Sequence, residues 1–190
     1  MNLPEVLTEV LRLTNRPDKS AETVVAINKA ISYCTLKGSF RRDLVEASIA
    51  ISPSAYGATI SLAGLTRFRR FTYVKPTAVK RYLEPIGEAQ VFSPSNNTQL
   101  DRYYVAGTSL TYTLSQLTSS LEVGYLTYAP VLAVGSLETH WMLDLMPFAI
   151  IDLATARIFQ SVGDDSSAKS LENSGMEFFK TAKADLSLGE

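Results

Sequence analysis

His140 is the sole histidine of the 190-residue chain, so a Ser-His-Asp or Cys-His arrangement has one side chain that could serve as its base. It stands beside Trp141 at the mouth of an apolar helical stretch, and a structural or solvent-edge histidine is the expectation there. Asp164 and Asp165 are adjacent, whereas a metal site needs carboxylates that converge from several elements. That pair reads as a helix start. The segment "GATISLAG" has glycines seven apart flanking a strand, without the Gly-rich turn from strand into helix that cradles a phosphate. Cys34 is the only cysteine, so neither an intramolecular disulfide nor a thiolate metal cluster can form within one chain. The titratable groups do not stand at spacings that bring an acid and a base together, and no enzyme activity, cofactor or metal is expected.

The stretch "RFRRFTYVKP", Arg67 to Pro76, places four cations and three aromatic rings in ten residues. Phosphates attract Lys and Arg while bases stack on flat rings, so this composition fits a single-strand nucleic-acid surface. Arg67, Arg69, Arg70, Lys75, Lys80 and Arg81 would follow the phosphates, with Phe68, Phe71 and Tyr73 stacking on bases. Two features oppose that reading. The formal net charge is −1, so no global field draws the chain to a polyanion. In a regular strand, residues two apart share a face, which puts Phe68 with Arg70 and sets Arg67, Arg69, Phe71 and Tyr73 opposite. Rings and cations then separate only if a bulge intervenes. Tyr103, Tyr104, Tyr112, Tyr125 and Tyr128 form a second cluster; a tyrosine has a broad apolar ring with a polar tip, and it suits sheet faces and subunit interfaces alike.

These residues need elements to carry them. Leu3, Val6, Leu7, Val10 and Leu11 recur at offsets of three and four, which predicts a helix ending near Asn15. A second helix is expected from a Ser20 cap through Val24, Ile27, Ile31 and Cys34, with Gly38 giving a left-handed exit. Strands are expected over 44–51, 59–62, 68–74, 102–106, 110–114 and 121–128, with a hairpin turn at Gly107. Between Lys75 and Gln99, "TAVKRYLEP" could form a helical turn or two, and "SPSNNT" reads as a loop. Helical periodicity returns near Thr139, with Pro147 in the first turn of a helix running to about Gly163. Asp164 or Asp165 then caps a last helix through Phe179 and Ala182.

The fold class is therefore α+β: an N- and C-terminal helix bundle, 1–38 plus 139–186, carries a central antiparallel β-rich insertion, 39–138, as a small sheet or sandwich, and 187–190 form a flexible C-terminus. The most apolar run is interrupted by Asp144, Pro147, Asp152 and Arg157, which are costly at a bilayer centre. No membrane contact is expected. The acidic residues within "MNLPEVLTEVLRL" are unlike a signal peptide, so synthesis in a cytoplasm is expected.

The order of "LTNRPD", "LAGLTRFRRFTYVKP", "DRYYVAGTSLTYTLSQLTSSLEVGYLTYAPVL" and "HWMLDLMPFAIIDLATARIFQSVGDD" resembles the head-to-tail adaptor (connector) proteins of tailed bacteriophages, nearest the tail tubular protein A type of short-tailed phages. The likeness runs from about residue 6 to residue 185, with "YYVAG" and "GYLTYAP" among its motifs. It implies a structural virion protein at the portal vertex. Copies would form a ring, a dodecamer by the resemblance, between the portal protein and the tail nozzle or another tail component, around the channel that DNA passes. Many members have a longer C-terminal arm, whereas only "LSLGE" stands after the last helix here. On this reading Arg67, Arg69, Arg70, Lys75, Lys80, Arg81, Tyr103, Tyr104, Tyr125 and Tyr128 are candidates for the subunit interface or the channel wall. The alternative remains a single-strand nucleic-acid binding module on residues 67–81.

Overall fold

A computed structural model of the chain describes residues 1–87, 100–135 and 139–186. Helix α1, Leu3–Thr14, starts with a reciprocal cap: the Asn2 side chain accepts from the Glu5 N–H, and the Glu5 carboxylate accepts from the Asn2 N–H. These bonds satisfy donors that a helix start otherwise leaves open. Leu3, Val6 and Val10 face the core, and Asn15, at φ 50°, ends the helix in the left-handed region. Helix α2, Ser20–Lys37, continues from a single 3-10 turn over Pro17–Lys19. Ser20 is thus its first residue and not the expected cap. Gly38 leaves α2 extended, at φ −119°, not left-handed. What requires glycine there is space, since a Cβ would collide with the Phe40 ring.

Helices α3, Trp141–Leu145, α4, Pro147–Ser161, and α5, Asp165–Leu186, come after the β region. Pro147 opens α4 as expected. Asp164 caps α5 by accepting from the Ser167 N–H at 3.1 Å, and its bonds to Ser167 hold its carboxyl below the usual range. Helices α1, α2 and α5 all pack on α4. Consequently α4 buries Ile150, Ile151, Ala154 and Ile158 on several sides, which accounts for an apolar run that shows no clean amphipathic stripe.

The chain forms two compact units, Met1–Asp43 with Tyr128–Glu190, and Leu44–Thr127. The boundaries expected near 38 and 139 move for local reasons. Phe40 is fully buried against Trp141, Asp43 accepts from the Trp141 indole, and the Leu132 N–H is held by the Asn28 side chain at 2.7 Å. Residues 39–43 and the described part of 128–138 therefore belong to the helical unit. Residues 187–190 lie outside the described ones.

In the inserted unit, strands β1 (Leu44–Ala50), β7 (Ser120–Thr127) and β3 (Phe68–Pro76) form one antiparallel sheet in the order β1-β7-β3. Strands β2 (Gly57–Ser61), β6 (Ser109–Thr113), β5 (Arg102–Ala106) and β4 (Glu84–Pro85) form the second, in the order β2-β6-β5-β4. One apolar cluster joins them: Val74, Leu121 and Tyr125 from the first sheet meet Tyr103, Leu110 and Tyr112 from the second. The β5-β6 hairpin turns at Gly107, φ 57°, as the sequence predicts.

One expectation for this unit fails, and one segment left open by the sequence is decided. The β4-β5 pairing is parallel, so the insertion is not wholly antiparallel. "TAVKRYLEP" forms a turn and then β4, not a helix: Leu83 N–H donates to Val74, Glu84 N–H to Asp101 and Ile86 N–H to Tyr103. Tertiary partners thus take the backbone donors that a helix would use internally, and Pro85 could not supply one. "SPSNNT" lies outside the described residues.

Candidate functional site

Strand β3 carries the basic-aromatic segment, and its geometry departs from simple alternation. Register against β7 shifts twice, between Phe68 and Arg70 and again between Phe71 and Tyr73. Each shift inserts an extra residue into the strand and reverses the facing of the residues beyond it. Phe68 and Phe71 thereby meet on one face, with centroids 4.7 Å apart, and turn toward Tyr125 (5.8 Å from Phe68) and Tyr103 (5.9 Å from Phe71). Tyr73 goes to the opposite face, where it lies over Gly124; a Cβ there would collide with the Tyr73 ring. Its hydroxyl donates to Glu46 at 2.7 Å, spanning the sheet from β3 to β1. Donation to a carboxylate pushes the Tyr73 phenol up to about 12. The facing expected from alternation, Phe68 with Arg70 and Phe71 with Tyr73, is therefore incorrect, because the two shifts regroup the rings.

The ten candidate residues have different fates. Arg69, Arg70, Tyr103 and Tyr104 line one cleft of about 240 Å³ together with Phe68 and Ile86. Arg67 is exposed in the left-handed region, φ 52°, just before β3. Lys75 pairs with Glu122 at 2.9 Å on the sheet surface. Lys80 is exposed in the turn after β3. Arg81 is committed within the chain: it pairs with buried Asp101 and reaches the Ser115 hydroxyl. Tyr103 and Tyr125 are 7% and 3% exposed, so they are packing residues and not surface ones. Their rings fill the space between the two sheets, where apolar area is worth most. Tyr128 is exposed, and it belongs to the helical unit.

The helical unit holds a polar cluster that the sequence did not signal. Asp43 accepts from the Trp141 Nε1–H at 2.7 Å, and His140 Nε2 lies 4.0 Å from the same Asp43 oxygen. His140 Nδ1 accepts the Met142 N–H at 3.3 Å and so caps α3. That bond leaves the ring proton of neutral His140 on Nε2, toward Asp43. With His140 and Asp43 each 5% exposed, the cluster orients Trp141 inside the fold. The histidine is buried, not at the solvent edge.

Cys34 is also enclosed, and burial pushes its thiol up to about 12. It is therefore expected to resist Ellman's reagent at pH 8 in the native protein and to react once the chain unfolds; fast labelling without denaturant would contradict its burial. The same shifts give the pH dependence of stability its sign. The folded protein keeps its Cys34 and Tyr73 protons to about pH 12, while the unfolded groups lose theirs from about pH 8.5 and 10 upward. The native state then holds more protons, so stability is complete below those values and falls as pH rises through them toward 12. Equilibrium unfolding measured between pH 8 and 11 checks this.

Among the described residues, no group of three or more His, Cys, Asp or Glu is placed to hold a metal ion, and no helix is long and apolar enough to cross a membrane. Compared with known proteins, the chain matches no family model, and no curated protein matches it significantly in sequence.

Proposed function

We propose that the chain is a structural subunit of a tailed-bacteriophage head-to-tail adaptor, a ring that joins the portal protein to the next tail component around the DNA channel. The observation that carries this reading is the architecture: both chain ends build one helical unit around α4, and a two-sheet unit is inserted between them. The segment order that resembles the adaptors implies this same arrangement, with the helices as a bundle. Exposed apolar side chains on the helices, Val25, Leu36, Leu145, Phe148 and Phe178, give such a subunit contact surface, because a ring needs two different patches on each copy.

The alternative, single-strand nucleic-acid binding on residues 67–81, is less well supported by the ring placement. Phe68 and Phe71 are half-buried against Tyr125 and Tyr103. Lys75 and Arg81 have acidic partners within the chain.

Cryo-electron microscopy of the intact particle tests the proposal. A ring of this chain below the portal is the expected result, and a portal vertex without its density overturns it. Gel shifts with a single-stranded oligonucleotide at low salt are expected to show no complex. A shift that weakens steeply with added salt favours the alternative.

A further inference from the structure

The helical unit contains an open groove and an exposed apolar knob, at opposite ends of α4. The groove runs between α2 and α4. Its main cavity, about 450 Å³, is lined by Val25, Ala26 and Lys29 on one side and Arg157 and Ile158 on the other. A smaller cavity of about 90 Å³ shares Arg157 and Gln160 with it and continues past Ala30 to Tyr33. From Glu22 to Tyr33 the groove runs along α2 for about 16 Å, the rise of eleven helical residues. Its wall is apolar and open: Val25 is 52% exposed. Its rim is basic. Glu22 is neutralised by Lys19 at 2.7 Å, while Lys29 and Arg157 make no ion pair among the described residues.

The knob lies where α4 begins. Phe148 and Phe178 are 62% and 49% exposed and touch each other, with ring centroids 5.9 Å apart, so α4 and α5 present a double aromatic projection. Exposed Leu145 extends it. Its flanks carry Asp144 and Glu177, whose carboxylates among the described residues pair with the chain's N-terminal amine and Lys180, in exposed pairs. Exposed pairs of this kind are weak and exchange readily. Phe148 and Arg157 are nine residues apart on α4, about 14 Å along its axis.

We propose that the knob of one copy docks in the groove of the next. Phe148 and Phe178 would enter the space beside Val25 and Ile158, and Asp144 and Glu177 would reach Lys29 and Arg157. The match is both apolar and electrostatic, and because knob and groove are different surfaces on opposite ends of one helix, the contact is head-to-tail. Contacts of that type close into rings or extend as filaments, and do not stop at a symmetric dimer. With about half of each ring still open to solvent, the two phenylalanines supply the core of an interface, which needs about 800 Å² per partner in all. The inference specifies the self-contact of the ring proposed above and rests on that reading.

Cysteine trapping in the full-length chain tests it. Val25→Cys and Phe148→Cys variants are prepared separately, shown by circular dichroism to keep the native helix content, mixed in equal amounts and oxidised. The mixture is expected to give roughly tenfold more disulfide-linked dimer than either variant alone, since only unlike copies bring the two positions together. Adding Lys29→Glu and Arg157→Glu to the Val25→Cys chain is expected to cut that yield several-fold. A mixture that gives no more dimer than the single variants, or a yield indifferent to the charge reversal, overturns the docking pair. Sedimentation of the unmodified chain separates the two levels: self-association without the cross-link rejects this contact alone, and the particle reconstruction decides the ring.

Discussion

Replacing Phe40 with Ala is expected to destabilise the helical unit by about 3–5 kcal/mol, the range for emptying a large aromatic site in a core. Phe40 is fully buried and meets Trp141 edge to face at 5.0 Å and Phe179 at 6.2 Å. One ring thus joins the segment after α2 to α3 and α5. The cavity has little means of collapsing, because Trp141 is held in place by its bond to Asp43. For a chain of this length the loss corresponds to a fall in Tm of roughly 10 °C. Trp141 is the only tryptophan, so its emission reports the same site, and a red shift at temperatures below the transition is expected as water gains access. Phe40→Leu, which retains much of the volume, should cost far less. A Phe40→Ala protein with unchanged Tm and emission would show that this cluster does not hold the helices together.

Asp101→Ala is the second large effect, and it falls in the inserted unit. Asp101 is buried, sits in the left-handed region at φ 62°, accepts the Ser115 N–H at 2.8 Å and pairs with Arg81. Alanine removes an acceptor from a buried N–H, costing about 1–3 kcal/mol. Both residues carry a Cβ in the left-handed region, so alanine loses there only the local polar bonding that offsets this conformation for a short polar side chain. Arg81 is largely exposed and becomes hydrated when released, so the full penalty of an orphaned buried charge is not expected. The lost acceptor therefore sets the scale, a loss of about 1–3 kcal/mol. Asp101→Asn keeps an acceptor oxygen and tolerates the backbone angle, and it should retain about half of the lost stability. Denaturant melts monitored by tyrosine absorbance measure both. Equal losses for Ala and Asn would place the effect in the charge alone.

Most of the elements were legible because they rest on local signals. The offsets of three and four in α1, Pro147 at the start of α4, Asp164 before α5 and Gly107 in the hairpin each act within a few residues, and the structure keeps all of them. The candidate site was less legible, because it depends on register. Two one-residue slips in β3 decide which way Phe68, Phe71 and Tyr73 face, and no residue type in "RFRRFTY" marks a slip. Tyr103 and Tyr125 were unreadable for a related reason. A tyrosine serves a core as well as an interface, and only the partner sheet decides between them. Asp43 carried no local sign of its role, since its partner Trp141 lies 98 residues away. The exposure of Phe148 was hidden in the same way: α4 is apolar on nearly every side, and only the positions of α1, α2 and α5 reveal which side stays open.

The pairing of β1 with β7 brings the two ends of the insertion together. Leu44 is the first residue of the inserted unit and Thr127 the last, and Leu44 stands opposite Leu126 in the ladder. Entry and exit therefore lie side by side, about 5 Å apart, as antiparallel neighbours do. To the helices, the whole insertion is a gap no wider than a hairpin turn. A substitute whose two ends meet as neighbouring strands would present the helical unit with the same pair of connections. The β unit is thus joined to the rest of the chain as a cassette is, through two strands that are already partners.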